Sequence, residues 1–116
     1  MSAVVLQKLQ KNYDRKLDKA IAYYQLLSTL NNLNLQSREI ELLAFTATRG
    51  TITPPSARQE FISIFGSSKA SLENIKCRLV KKKLLYKIGE MYRVVPEIAP
   101  DFSRSIVMQI NLVSGQ

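Results

Sequence analysis

The strongest constraint on the fold lies in residues 68–95, where a helical pattern changes directly into a hairpin pattern. Leu72, Ile75 and Leu79 recur at a spacing that places them on one helical face, which predicts a helix over about 68–82 with these side chains in the core. Two short β-prone runs follow, "LLYKI" and "MYRVV", separated by Gly89 and Glu90. Glycine at the first turn position suits a type II′ hairpin. The segment therefore predicts a helix that leads into a two-stranded hairpin.

Apolar periodicity predicts three more helices upstream, over about 14–30, 37–48 and 56–65. Gln36 or Ser37 is the expected cap of the second helix, and Gly50 ends it. Ser56 and Gln59 have the spacing of a capping box for the third helix. The side chains expected to face the core from these last two helices are Ile40, Leu43, Ala44, Ala47, Ala57, Phe61, Ile64 and Phe65.

The helix over 14–30 carries two apolar stripes. The first consists of Leu17, Ala20, Ile21, Tyr24 and Leu27. Tyr23, Leu26 and Leu30 form the second stripe on the other side, which is more than a one-sided surface helix needs. Two interpretations stay open for this second stripe. It is either buried between two elements, or it binds a second copy of the chain or another protein.

The two ends of the chain are less clearly patterned. Residues 2–9 suit either a short strand or an extension of the first helix. The run "SIVMQINLV" at 105–113 alternates in part and predicts a closing strand, while its pairing with residues 1–12 stays open. At 116 residues the chain has the length of one domain. The predicted parts are an N-terminal segment and helix (1–34), a core (35–98) and a C-terminal loop and strand (99–116).

The charge of the chain is strongly positive and unevenly distributed. Lysine and arginine number 17 against 9 acidic residues, a net charge of +8. Residues 67–93 alone carry eight of these bases and two glutamates, a net charge of +6. A concentrated basic patch attracts polyanions, of which nucleic acid is the commonest. The alternative is a solvated basic face that keeps the protein in solution.

Residue types that support catalysis are sparse. The chain has no histidine and one cysteine, so it lacks the commonest general base and the usual ligands of a zinc site. Four scattered glycines form no phosphate-binding loop, and Glu39 and Glu41 point to different faces of their helix. We therefore expect a non-enzymatic protein without cofactor or metal. No apolar run suits a signal peptide or a membrane span, which predicts a protein of the cytoplasm or of a phage particle, away from membranes.

The predicted order of elements is that of a winged helix-turn-helix, a mainly α fold with a small β component (α+β). Helices 56–65 and 68–82 would form the turn-linked pair, and the second would enter the major groove of DNA. Ala70, Ser71 and Asn74 are candidates to read base edges, since alanine can touch a thymine methyl group and asparagine can pair with adenine. The other predicted DNA-binding residues, mostly toward phosphates, are Ser68, Lys69, Arg78, Lys81, Lys82, Lys83, Lys87 and Arg93.

A resemblance to a known family supports this prediction. "LQSREIELLAF", the turn at "FGSS", "SLENIKCRLVKKKLLYK" and "YRVVPEI" look like parts of the small winged-helix domains of bacterial and phage regulators of the MarR-like kind. The resemblance covers about residues 35–98 and implies sequence-specific binding of duplex DNA, usually as a dimer. The chain differs in its very short wing turn, in Glu73 on the predicted DNA face, and in its predicted closing strand, where such regulators often have dimerising helices.

The predicted function is therefore that of a duplex DNA-binding protein, either a transcriptional regulator or an accessory factor. The alternative is an adaptor in a phage particle or another assembly, which would use the same fold for contacts with proteins. The two differ in where substitutions act: on helix 68–82 in the first case, and on Tyr23, Leu26 and Leu30 in the second.

Overall fold

The computed structural model describes residues 4–114, so the parts of the predictions that concern residues 1–3 and 115–116 lie outside it. Within this range it contains four α-helices, two strands and a short 3-10 helix. They are α1 (Lys16–Leu30), α2 (Ser37–Arg49), α3 (Pro55–Phe65), α4 (Lys69–Lys81), β1 (Leu85–Ile88), β2 (Met91–Val94) and the 3-10 helix (Pro96–Ile98). The strands form one antiparallel sheet. The chain is thus mainly α with a small β component, which confirms the predicted fold class at that level.

Local signals explain most of the helix boundaries. The backbone N–H of Gln36 donates to the Glu39 carboxylate over 2.8 Å, so Gln36 is the cap position of α2. Gly66 ends α3 in the left-handed conformation, with φ at +63°, which glycine adopts at little cost. The Ser68 hydroxyl accepts the N–H of Ser71 over 3.1 Å and caps α4.

The start of α3 differs from the prediction. Pro54 is the cap residue and Pro55 is the first helical residue. Proline suits that place because the first turn has no partner for its missing N–H, and because its φ is already helical. Ser56 and Gln59 lie inside the helix, so the predicted capping box is wrong.

All four helices and the hairpin share one hydrophobic core. Its buried members are Ala20, Tyr24, Ile40, Leu42, Leu43, Ala44, Phe45, Ile52, Ala57, Phe61, Leu72, Ile75, Leu79, Leu84, Leu85, Val94 and Phe102. The three predicted side chains of α4 are among them. Leu42 and Phe45 are also buried, although they were not among the predicted core residues. They are covered because α2 packs against α1, α3, α4 and β2 at once. The predicted inward position of Ile64 is wrong, since half of its surface is exposed.

The hairpin follows the predicted turn. Gly89 has a φ of +60° and Glu90 does not have a positive φ, as a type II′ turn requires. Leu85 pairs with Val94 at the base of the hairpin, and both are buried. The base is therefore fixed to the core while the turn extends away from it.

The loop between α2 and α3 holds the outer edge of β2. The Thr51 hydroxyl donates to the Tyr92 carbonyl over 2.8 Å, and the Tyr92 N–H donates to the Thr53 hydroxyl over 2.7 Å. Ile52 lies between the two threonines and is fully buried. Both backbone groups of Tyr92 that face away from β1 are thus satisfied by side chains.

The described parts of the two chain ends form no regular element. Residues 4–13 and 105–114 are neither helix nor strand. The closing strand predicted at 105–113 is therefore wrong, and residues 4–12 do not pair with it. The loop over 51–53 occupies the outer edge of β2 at Tyr92, so a further strand cannot pair there.

Candidate nucleic-acid interface

The side of α4 opposite the core is polar and accessible. Its exposed members are Lys69, Ala70, Asn74, Cys77, Arg78 and Lys81, with Ser71 half-buried beside them and the cap Ser68 exposed, and Val80 is the large apolar side chain exposed next to them. Because the core stripe of α4 is fully buried, the helical period brings these side chains together on the outside. The three candidate base readers, Ala70, Ser71 and Asn74, therefore lie on one accessible side of one helix.

Exposed cations extend this side of α4 onto the hairpin. Lys81, Lys83, Lys87 and Arg93 are exposed, and no acidic group among residues 4–114 lies within ion-pair distance of them. Lys83 has a φ of +64° at the point where the chain leaves α4 for β1. The positive charge thus continues from the end of α4 into both strands.

Two predicted phosphate ligands, Arg78 and Lys82, contact a buried carboxylate. Arg78 Nε lies 3.3 Å from Glu39 Oε2, and Lys82 Nζ lies 3.1 Å from Glu39 Oε1. Only 1% of the Glu39 side chain is exposed. Burial acts to raise the pKa of Glu39, but the N–H of Gln36 and the cations of Lys82 and Arg78 outweigh it and lower the pKa. Glu39 is therefore ionised and joins the start of α2 to the end of α4.

The two cations differ in how far they remain available to contact a phosphate. Arg78 uses only its Nε toward Glu39, and 45% of its side chain is exposed. Since a guanidinium has five N–H donors, its outer nitrogens can still reach a phosphate. Lys82 also donates to the Asn34 carbonyl over 3.3 Å, so its ammonium group has a mainly structural role. This role of Glu39 could not be predicted from the sequence, where its only local signal is an acid in the first turn of α2.

Glu73, the acid on the predicted DNA side, is neutralised within the protein. Its carboxylate lies 3.3 Å from Arg58 Nη1 on α3 and 3.0 Å from Lys76 Nζ one turn along α4. Lys76 Nζ also lies 4.6 Å from the centre of the Tyr92 ring on β2. One carboxylate thus helps to hold α3, α4 and β2 together, and its charge is balanced locally.

The second stripe of α1 divides into a buried part and an exposed part. The Tyr23 ring packs edge-on against Tyr24 and Phe102, at centroid distances of 5.0 and 5.5 Å. Leu26 and Leu30 keep 46% and 41% of their surface exposed. Tyr23 therefore belongs to the core contacts of its own chain, while the two leucines form a surface.

Comparison of the chain with protein-family models, with curated proteins and with solved structures gives no match. Among residues 4–114, no helix is both long and apolar enough to cross a membrane. The same part of the chain holds no group of three or more histidine, cysteine, aspartate or glutamate side chains placed to bind a metal ion.

Proposed function

We propose that this chain is a non-enzymatic winged helix-turn-helix protein that binds duplex DNA, with α4 in the major groove and the hairpin as its wing. The observation that carries the proposal is the polar side of α4, with exposed lysines at its end and on the hairpin together with Arg93. The order α2, α3, α4, β1, β2 agrees with it, since α3 and α4 are joined only by a short turn at Gly66.

The size and chemistry of α4 fit a groove of DNA. A helix with its side chains is about 10–12 Å across, close to the width of the major groove at about 12 Å. Ala70 and Ser71 are small enough for close approach to base edges, and the Asn74 amide can donate to and accept from adenine. Arg78 and Lys81 follow toward the end of α4, where the helix leaves the groove and phosphates are near.

This proposal assigns the chain to DNA-binding regulators or accessory factors. An adaptor within a phage particle or another assembly is the second candidate, and the exposed Leu26 and Leu30 on α1 favour it. Binding of mixed-sequence duplex DNA, measured by fluorescence anisotropy at several salt concentrations, separates the two. An adaptor without a DNA role gives no binding even at low salt.

The variant Lys69→Ala/Lys81→Ala is expected to bind DNA more weakly and with less dependence on salt. Both lysines are exposed on α4 and neither has an acidic partner among residues 4–114, so the substitutions remove charge without breaking an ion pair. Each lost phosphate contact lowers the slope of log affinity against log salt by about 0.9, so the expected decrease is about 2. The same anisotropy titrations measure it.

The control Lys8→Ala/Lys16→Ala makes the same change in net charge at exposed positions outside α4. It is expected to keep nearly the full salt slope. Equal slopes for the two double variants would mean that net charge, and not the side of α4, determines the binding.

Duplex DNA is also expected to protect Cys77 from alkylation. Cys77 is the single cysteine of the chain and is exposed on α4 between Lys76 and Arg78. At a DNA concentration ten times the dissociation constant, the rate of reaction with a neutral maleimide should fall about tenfold, because only the free protein reacts. Mass spectrometry over time measures the rate.

Added salt should restore the alkylation rate as DNA dissociates. The control Asn12→Cys/Cys77→Ser carries its only thiol on the exposed N-terminal segment and should react equally fast with and without DNA. If Cys77 reacts at its free rate while anisotropy shows bound DNA, α4 does not face the duplex.

A further inference from the structure

An uncharged groove runs along the outer side of α1. It has a volume of about 490 Å³ and is lined by Leu26 and Leu30 of α1, by Tyr13 just before it, and by Ile110 and Leu112 near the C-terminal end. None of the side chains that line it is charged. Such a surface suits an apolar occupant.

Two segments of the chain have the properties of such an occupant. We call residues 4–9 the N-terminal arm and residues 105–113 the C-terminal arm. Their large exposed apolar side chains are Val4, Val5, Leu6, Leu9, Val107, Ile110, Leu112 and Val113. In the N-terminal arm these side chains are 81–89% exposed. Within residues 4–114, neither arm makes a backbone-to-backbone hydrogen bond. The arms thus carry both uncovered apolar surface and unpaired backbone, the two features that recruit another chain.

We propose that a second copy of the chain covers this groove, and that the N-terminal arm of each copy lies in the groove of the other. There the arm is placed between α1 and the C-terminal arm of its partner. Its apolar side chains contact Leu26 and Leu30, and its backbone pairs with that of the C-terminal arm. The contact is the same in both directions, so it closes as a symmetric dimer.

The position of Tyr13 supports this exchange. Tyr13 lines the groove, and the N-terminal arm lies just before it in the chain. Only residues 10–12 separate the arm from Tyr13, so the arm leaves the folded body beside the groove. The side chains of residues 4–9 do not line their own groove, so it remains open to the arm of another copy.

The surface available matches what a stable dimer needs. A large apolar side chain offers about 100 Å² of surface, so the eight exposed side chains of the two arms amount to about 800 Å² per chain. A specific interface of standard size buries about 800 Å² on each partner. The groove lining adds no charge to the contact, where Lys8 is the one charged side chain of the N-terminal arm.

This interface is separate from the proposed DNA side. α1 packs mainly against α2, whereas the predicted DNA-reading residues lie on α4. The two activities respond to salt in opposite directions. Screening weakens repulsion between two copies of charge +8 and so favours the dimer, while it weakens binding to DNA. Failure of one proposal is therefore distinguishable from failure of the other.

Sedimentation velocity of the full chain over a wide concentration range tests the dimer. We expect a reversible equilibrium between species of one and two chains, each chain of 13.2 kDa. Leu26→Glu/Leu30→Glu should raise the dissociation constant at least about 100-fold, because two charged groups would be buried without partners. The control Ile64→Glu/Ile88→Glu makes the same charge change at apolar side chains of similar exposure outside the groove, and should leave the constant unchanged.

Disulfide formation between two single-cysteine variants tests the exchange of arms. Leu9→Cys/Cys77→Ser mixed with Leu30→Cys/Cys77→Ser under copper-phenanthroline should give a disulfide between the two chains. Replacing the second variant by Ile64→Cys/Cys77→Ser should give no such disulfide.

A chain that stays monomeric at every concentration overturns the proposal. A dimer whose dissociation constant is unchanged by Leu26→Glu/Leu30→Glu also overturns it. A disulfide that forms within a monomer of Leu9→Cys/Leu30→Cys/Cys77→Ser overturns the proposal as well, because the arm would then occupy its own groove.

Discussion

Glu39→Ala is expected to lower the free energy of unfolding by about 3 kcal/mol. The substitution removes the acceptor for the Gln36 N–H, a capping contact worth about 1 kcal/mol. It also removes the partner of Arg78 and of Lys82, and each of these partly exposed ion pairs contributes about 1 kcal/mol. Urea unfolding measures the loss.

Glu39→Gln is the matched comparison, because the amide oxygen can still accept the Gln36 N–H while the charge is lost. It should cost about 2 kcal/mol, the part that belongs to the two cations. If both variants are as stable as the wild type, the carboxylate does not join α2 to α4 in solution.

The same carboxylate makes stability depend on pH in the acid range. The pKa of Glu39 is lower in the folded chain than its ordinary value of 4.5. A lowered pKa gives stability that is fully present above the unfolded value and is lost as the pH falls through the folded value. Between neutral pH and about 5 the contribution of Glu39 is therefore constant, and below 4.5 it declines. Glu39→Gln should show a shallower loss of stability with acid than the wild type.

Phe61→Ala is expected to have the largest effect, a loss of about 4 kcal/mol. Phe61 is fully buried, and its ring packs against Phe45 at 5.6 Å and Phe65 at 4.9 Å between centroids. Alanine would leave a cavity where α3 meets α2. Total stabilities of domains are only about 5–15 kcal/mol, so the variant should unfold at much lower urea concentration.

Ile64→Ala is the control for Phe61→Ala, since it removes an apolar side chain from the same helix at a half-exposed position. It should cost less than about 1 kcal/mol. Equal losses for the two variants would contradict the burial of Phe61. A DNA-binding assay on each folded variant then shows how far the position of α4 depends on the packing of α3.

The helices and the hairpin could be predicted because their signals are local. Leu72, Ile75 and Leu79 repeat at helical spacing, and Gly89 stands where the turn needs a positive φ. No contact with distant residues is needed to read either pattern. The exposed side of α4 then follows from the same period.

The features that could not be predicted depend on contacts between distant parts of the chain. The burial of Glu39 requires Arg78 and Lys82, about 40 residues later, to approach it. Tyr23 has the same spacing as Leu26 and Leu30, but it is covered because Phe102 returns to α1. The strand expected at 105–113 had the composition of a strand but pairs with no other segment among residues 4–114.

The occupied edge of β2 has a consequence for how the molecule behaves in crowded solution. The outer edge of β2 ends in the hydroxyl groups of Thr51 and Thr53, which occupy the N–H and the carbonyl of Tyr92. Hydroxyl groups complete the hydrogen bonding without offering a further row of backbone groups. Growth of the sheet from one molecule to the next therefore stops at this edge, and the hairpin cannot template a polymer through β2.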